Sequence, residues 1–424
     1  MDNRVYFVID ARSFYASVEC ADRGLDAMKT RLVVADASRT DKTICLAVSP
    51  ALKALGVKNR CRLFQVPKEI DFIVAKPRMK RYIEVAASIY RIYLRHIAKE
   101  DMHVYSIDEI ILDVTDYLKL YNIRAKAFAL QLMKEVKDEL GIPMTCGIGT
   151  NMYLAKVASG ITAKGSAEGI GWLDEEKFIK TLQNHTPLTD FWMISRGTSA
   201  RLAKYGIFDM EGIRKADEDL LYKEFGVNAE LLIDHAYGKE PVTMYDIKHY
   251  VGKSRSISQG QILPQAYSHK DALIILKEMT DTLCLEMARQ HVVSDTLTID
   301  IGYEEERGQR QHISTHIGSL TNLSSIFRNA AVEVFERKSD WTKKIRAFYV
   351  SFGNLHSEDY ESYDLFVDLE AVDKEKMMRD TLLQIEEIYG KNAALRGMDY
   401  QSNATRRERN TMVGGHAGGD EDEI

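Results

Sequence analysis

The chain lacks several features that would assign it quickly to a class. Its five cysteines, at 20, 45, 61, 146 and 284, show no C-x-x-C pairing, so neither a zinc site nor a disulfide framework is indicated, and reduced, mostly buried thiols are expected. No window of about 18 uncharged apolar residues is present, which argues against a membrane-spanning helix. The opening MDNRVYFVID has neither the basic flank nor the long apolar stretch of a secretory signal, so a cytoplasmic protein with no membrane association is expected. Bulk it does have. A chain of 424 residues with 45% hydrophobic content buries several cores, and about three or four domains are expected. The formal charge of −6 is spread unevenly: residues 29–81 hold 13 Lys/Arg against 4 Asp/Glu, whereas residues 356–424 hold 8 against 17. A basic module therefore coexists with an acidic tail, and a basic patch beside an anionic substrate would compensate phosphate charge.

The most informative stretch is YSIDEIILDVT, Tyr105 to Thr115. Its alternating apolar pattern predicts a hairpin with the adjacent acids Asp108 and Glu109 at its tip. A third acid, Asp10, ends the apolar run Val5–Ile9 just before a polar turn. Three converging carboxylates suit hard divalent cations such as magnesium, which takes one or two carboxylates plus substrate phosphates. Two-metal phosphoryl transfer, with cations about 3.5–4 Å apart clamping the attacking and leaving oxygens, uses such a set. Around these acids the pattern predicts strand 5–9, helix 80–98, hairpin 103–115, helix 121–140 and strand 143–148. That order is β-α-β-β-α-β, the ferredoxin-like plan of an α+β domain. Ala125, Phe128, Leu132, Val136 and Leu140 mark one face of the second helix, and Gly141 with Pro143 ends it. Such a sheet serves polymerases and nucleotide cyclases alike, so the fold leaves the reaction open.

After Asp10 come Phe14, Tyr15, Ala16, Ser17, Val18 and Glu19, and later Ser106, Asp108 and Glu109 form S-x-D-E. Together these resemble the two signature motifs of the Y-family, or translesion, DNA polymerases, with a lean toward the UmuC-like branch of Gram-positive chromosomes, plasmids and phages. The resemblance spans roughly residues 1–350 and is best over the first 170. It implies a multidomain right-hand polymerase: palm at 1–13 and 81–172, fingers at 14–80, a helical thumb with a helix-hairpin-helix at 173–240, a linker at 241–252, an α/β little finger at 253–355, and a tail at 356–424 whose end, from 401, is expected to be disordered. The implied activity is template-directed, low-fidelity DNA synthesis across damage, in DNA repair and SOS mutagenesis, with primer–template DNA and deoxynucleoside triphosphates as partners. Two Mg2+ ions, replaceable by Mn2+, would be held by Asp10, Asp108, Glu109 and the carbonyl of Ala11.

The same resemblance implies residue roles. Tyr15 is the expected steric gate against a 2′-hydroxyl, supported by Phe14. Lys53, on a helix opened by Ser49 as N-cap and Pro50 at N1, and Lys164, in ITAKGSAEG, are expected to hold the triphosphate. Ser106 and Asp113 are given structural roles. Ala47 and Pro50 stand where many relatives carry a hydroxyl residue and tyrosine, and Arg60 falls near a place where relatives often have glycine. Gly197 and Thr198 would offer thumb amides to duplex phosphates, and Lys253 and Arg255 would contact template phosphates without reading sequence. In ESYDLF, Leu365 and Phe366 resemble the hydrophobic anchors of a sliding-clamp peptide, with Ser362 in place of its leading glutamine. No further acidic cluster resembles a proofreading exonuclease. Two other classes stand against this one: another palm-type nucleotidyltransferase or cyclase, and a non-catalytic DNA-bound repair scaffold.

Overall fold

A computed structural model describes residues 4–419 except 39, 41, 253–255, 307 and 366. The chain divides into two compact units, residues 1–250 with 417–424, and residues 251–416.

The first unit is built on a five-stranded sheet. Its strands are β1 (Tyr6–Ala11), β5 (Met102–Val104), β6 (Glu109–Asp113), β7 (Met144–Gly149) and β8 (Ile170–Leu173), in the order β5-β6-β1-β7-β8. The uninterrupted burial of Phe7, Val8 and Ile9 reflects β1's central place, flanked by antiparallel partners on both sides. Between β1 and β5 lie α1 (Phe14–Asp22), a small three-stranded sheet of β2 (Leu32–Val34), β3 (Ala47–Val48) and β4 (Ile73–Ala75), α2 (Pro50–Ala54), and α3 (Met79–Tyr93). Helix α3 buries Met79, Tyr82, Val85, Ile89 and Ile92, spaced three and four apart as one apolar face.

The helix expected over 121–140 is α5 (Ala125–Leu140), which starts four residues later, and a separate short helix, α4 (Thr115–Leu120), precedes it. Asn122 turns between them with φ 46°, a conformation the short Asn side chain tolerates. Asp113 accepts from the Thr115 amide and hydroxyl and so fixes the start of α4. Gly141 closes α5 at φ 70°, the left-handed cap that glycine adopts without a Cβ clash.

Helix α6 (Met152–Val157) follows β7 and runs into a wide turn over Ala158–Thr162. It sits flush on the sheet because Gly147 and Gly149 have no side chains: a Cβ at either would overlap the backbone of α6. The helices α7 (Glu175–Thr181), α8 (Arg196–Ala203), α9 (Met210–Lys215), α10 (Glu218–Phe225) and α11 (Asn228–Ala236) then pack around Phe178, Phe191, Leu202 and Met210. The expected linker at 241–252 contains a helix, α12 (Met244–His249), capped by Thr243 and Asp246. Met244 and Ile247 form its apolar stripe and pack against Tyr6, Val8, Ile111 and Met152, so most of this segment belongs to the first unit's core.

The second unit repeats β-α-β-β-α-β with a different strand order. Its elements are β9 (Ile257–Tyr267), α13 (His269–Arg289), β10 (Val292–Tyr303), β11 (Gln311–Thr321), α14 (Ser324–Lys338) and β12 (Ile345–Gly353), and the antiparallel sheet reads β11-β10-β12-β9. Alternate residues of β10 and β12, such as Leu297, Ile299, Phe348 and Val350, meet Ile275, Met279 and Phe327 from the helices. A short β13 (His356–Ser357) and a long α15 (Leu369–Tyr389) follow.

The expected disorder from 401 onward is not met over 401–419. Helix α16 (Arg406–Asn410) follows Thr405, and both Thr405 and Arg406 are buried. The reason is electrostatic. Glu278 of α13, fully buried, accepts from the Thr405 and Arg406 amides at 3.1 and 3.2 Å and lies 3.5 Å from the Arg409 guanidinium. No helix among the described residues is long and apolar enough to cross a membrane.

Candidate active site

The antiparallel register sets Asp10 directly opposite Glu109, and the Ala11 amide donates to the Asp108 carbonyl at 2.9 Å. Strand pairing therefore brings the three acids to one end of β1 and β6, despite nearly a hundred intervening residues. Ser106 donates to Asp108 Oδ1 at 2.7 Å, so the motif serine positions the acid beside it. Burial pushes the Asp10 carboxyl up to about 7, Glu109 and Asp108 push in the same direction, and Lys156 and Lys164 oppose them. Burial also raises Glu109, against the lowering effect of Lys156. Three carboxylates with this much mutual repulsion suit a divalent cation, whose charge would relieve it. Among the described residues, however, no three Asp, Glu, His or Cys side chains stand arranged as a ligand group. Glu109 turns instead onto Lys156, whose ammonium contacts both carboxylate oxygens.

Beside the acids stands an aromatic platform. The Tyr15 ring stacks on Tyr82, centroids 4.4 Å apart and planes 16° apart, with Phe14 at 5.8 Å. Burial and the charge of Asp108 both raise the Tyr15 phenol, which sets that ring beside the acid. Tyr82 is fixed in turn: its hydroxyl donates to Glu19 Oε1 at 2.7 Å, and Arg78 binds both Glu19 oxygens at 2.9 and 3.0 Å. Glu19 is fully buried. The closing glutamate of the FYASVE run therefore locks α1 to α3 beneath the Tyr15 ring.

The predicted lysines frame the same end. Ser49 caps α2 by accepting from the Leu52 amide, with Pro50 at N1, and Lys53 donates to Ser13 Oγ at 2.8 Å. Ser13 sits in the turn after β1 with φ 50°, a left-handed conformation rare outside glycine and common at functional sites. Lys164 lies in the short turn Ala163–Gly165. Burial first, then the charge of Lys164, lowers the Lys53 ammonium. A deficit of negative charge between the two lysines thus adjoins the acids, the distribution a bound triphosphate would balance. Ala47 is buried in β3, and Arg60 takes φ 57°, a region that favours glycine.

Elsewhere the expectations fare unevenly. Thr198 does not offer a free amide: Ser195 caps α8 and accepts from it at 3.1 Å, while Gly197 lies exposed in the first turn. Lys253 and Arg255 lie outside the described residues, as does Phe366. Leu365 is 97% exposed, and Ser362 is held by a backbone bridge to Leu320. Sequence reasoning missed Lys156, Tyr82 and Arg78. The signal for Lys156 was the pair of lysines eight residues apart in LAKVASGITAK, of which only the second was singled out.

Residues 9–160 match the impB/mucB/samB family, and residues 254–365 match its C-terminal domain. The chain is 28% identical over 417 residues to UvrX of Bacillus subtilis (strain 168), named for UV-damage repair, covering 96% of each. It is 27% identical over 417 residues to DNA polymerase IV 2 of Halalkalibacterium halodurans, covering 98% of this chain and 99% of that one. Among solved structures it is similar to the Y-family DNA polymerase chimera Dbh-Dpo4(243-245)-Dbh, with a TM-score of 0.65 and 19% identity over 83% of this chain and 99% of that one.

Proposed function

The chain belongs to the impB/mucB/samB family and is a Y-family, translesion DNA polymerase, and from that premise we propose how its own residues carry the reaction. Asp10, Asp108 and Glu109, with the Ala11 carbonyl, would hold two divalent cations, Mg2+ with Mn2+ as a substitute. When bound, the cations supply Lewis-acid stabilisation of the charge that develops as a primer 3′-hydroxyl attacks the α-phosphate of a deoxynucleoside triphosphate. Lys53 and Lys164 bind the triphosphate, and Tyr15, supported by Phe14, excludes the 2′-hydroxyl by its ring. Gly197 of the first unit, and Lys253 and Arg255, contribute sequence-neutral DNA contacts, since a polymerase accepts any template. Leu365 and Phe366 dock on a sliding clamp, and the protein acts in the cytoplasm, where its DNA lies. The observation that carries this reading is the register of Asp10 against Glu109 with Asp108 adjacent.

The test is primer extension on undamaged and abasic templates with Mg2+. Replacing Asp108 by Ala removes a metal ligand, and losing several kcal/mol of transition-state stabilisation corresponds to a drop of about 10³-fold or more in rate. Extension unchanged by that substitution would remove the assignment.

A further inference from the structure

Of the three acids, Glu109 carries an ion pair with a lysine. Both its oxygens face the Lys156 ammonium, and the pair is largely buried, with side-chain exposures of 7% and 19%. The ammonium also lies over the Tyr105 ring, 4.5 Å from its centre, and the Tyr105 hydroxyl accepts from Trp192 Nε1 at 2.9 Å. This seat is built on fixed backbone. Helix α6 cannot shift toward the sheet, because it already rests on the bare backbone of Gly147 and Gly149. Any rearrangement at Lys156 therefore belongs to its side chain, a compact charge on a flexible four-carbon stem.

We propose that Lys156 is a resident counter-ion for Glu109: it holds the carboxylate oriented before a cation arrives, and must leave it for Glu109 to become a ligand. The inference rests on the reading of Glu109 as a metal ligand. Two cations compete for one carboxylate, so Lys156 sets the concentration of divalent ion at which the site fills. Lys156 is in this sense a positioning residue.

The full-length chain is titrated with Mn2+ alone, with binding followed by electron paramagnetic resonance of the free ion. In parallel, lysine acylation is mapped by peptide mass spectrometry. Lys156 acylation should rise several-fold with a midpoint that coincides with Mn2+ binding, while the exposed Lys134 stays constant. In Glu109→Gln, Lys156 should be acylated readily without metal. Lys156→Met should bind Mn2+ about tenfold more tightly, equivalent to about 1.4 kcal/mol. Lys156→Arg should bind it more weakly than the unaltered chain, because a guanidinium grips a carboxylate through two parallel bonds. A role through charge alone would leave the arginine variant equal to the original. Mn2+ binding with unchanged Lys156 acylation, or an unchanged midpoint in both variants, overturns the counter-ion and leaves the metal site standing. Failure of the unaltered chain to bind Mn2+ at all overturns both.

Discussion

The sugar gate proposed at Tyr15 depends on one ring and what lies under it. Tyr15 is stacked on Tyr82, Tyr82 is tethered to Glu19, and Glu19 is clamped by Arg78, so the position of the Tyr15 ring is set through three further residues. Tyr15→Ala should raise ribonucleotide use relative to deoxyribonucleotide use in single-nucleotide insertion assays, with primer binding unaltered; equal sugar discrimination would refute the gate. The clamp beneath it carries a separate expectation. Glu19→Ala leaves the nearly buried Arg78 without its main partner, although Asp22 remains 2.7 Å away. Breaking one side of a buried pair costs about 3–5 kcal/mol, so urea denaturation should show a loss near the lower end of that range. A change below about 1 kcal/mol would place the pair among ordinary surface bridges.

At the level of elements, what sequence revealed and what it hid follow from the range of the interactions. The hairpin was legible because the short apolar runs Ile110–Leu112 and Val5–Ile9, each bounded by polar residues, are local patterns that buried strands satisfy. The cap of α2 was legible for the same reason, since Ser49 and Pro50 act within one turn. The wide turn at Ala158–Thr162 was not. Lys156 in sequence looks like a surface charge on a helix, and its burial depends on glycines in β7 that a linear pattern does not connect to it. That dependence is testable. A methyl at Gly147 would overlap the Ala155 carbonyl oxygen and the Ser159 amide, so Gly147→Ala must push α6 off the sheet. Overpacking of this kind costs about 1–3 kcal/mol, and the shift carries Lys156 and the chain leading to Lys164 away from the acids. Thermal unfolding should therefore fall, and primer extension should fall further than stability alone explains. Unchanged values for both would show that the helix has room the structure does not display.

Over the whole chain, net charge hides a set of buried ion pairs that the tail's arginines make, with two acids of the tail itself, Glu386 and Asp399, and with acids of α13. Arg396 lies 2.7 Å from Asp281, Arg406 lies 3.7 Å from both Glu386 and Asp399, and Arg409 lies 3.5 Å from Glu278, all with at least one buried partner. The Arg396–Asp281 and Arg409–Glu278 pairs, each separated by more than a hundred residues, look in sequence like any solvated charges, and this is why the segment after 401 reads as disordered. Glu278 gathers more of its contacts than any other residue named here. Glu278 receives the Thr405 and Arg406 amides and the Thr405 hydroxyl, and burial already lowers the pKa of Arg409, so that guanidinium depends on its acid. Glu278→Ala removes the acceptor of three hydrogen bonds and strands a buried charge, with an expected cost of about 3–5 kcal/mol. The segment 401–411 has little other apolar burial to hold it. Limited trypsin digestion should then cut at Arg406, Arg407 and Arg409 in the variant well before the unaltered chain is cut there, while peptides from 4–250 appear at unchanged rates. Equal cleavage in the two proteins would mean that the segment is held by something other than α13.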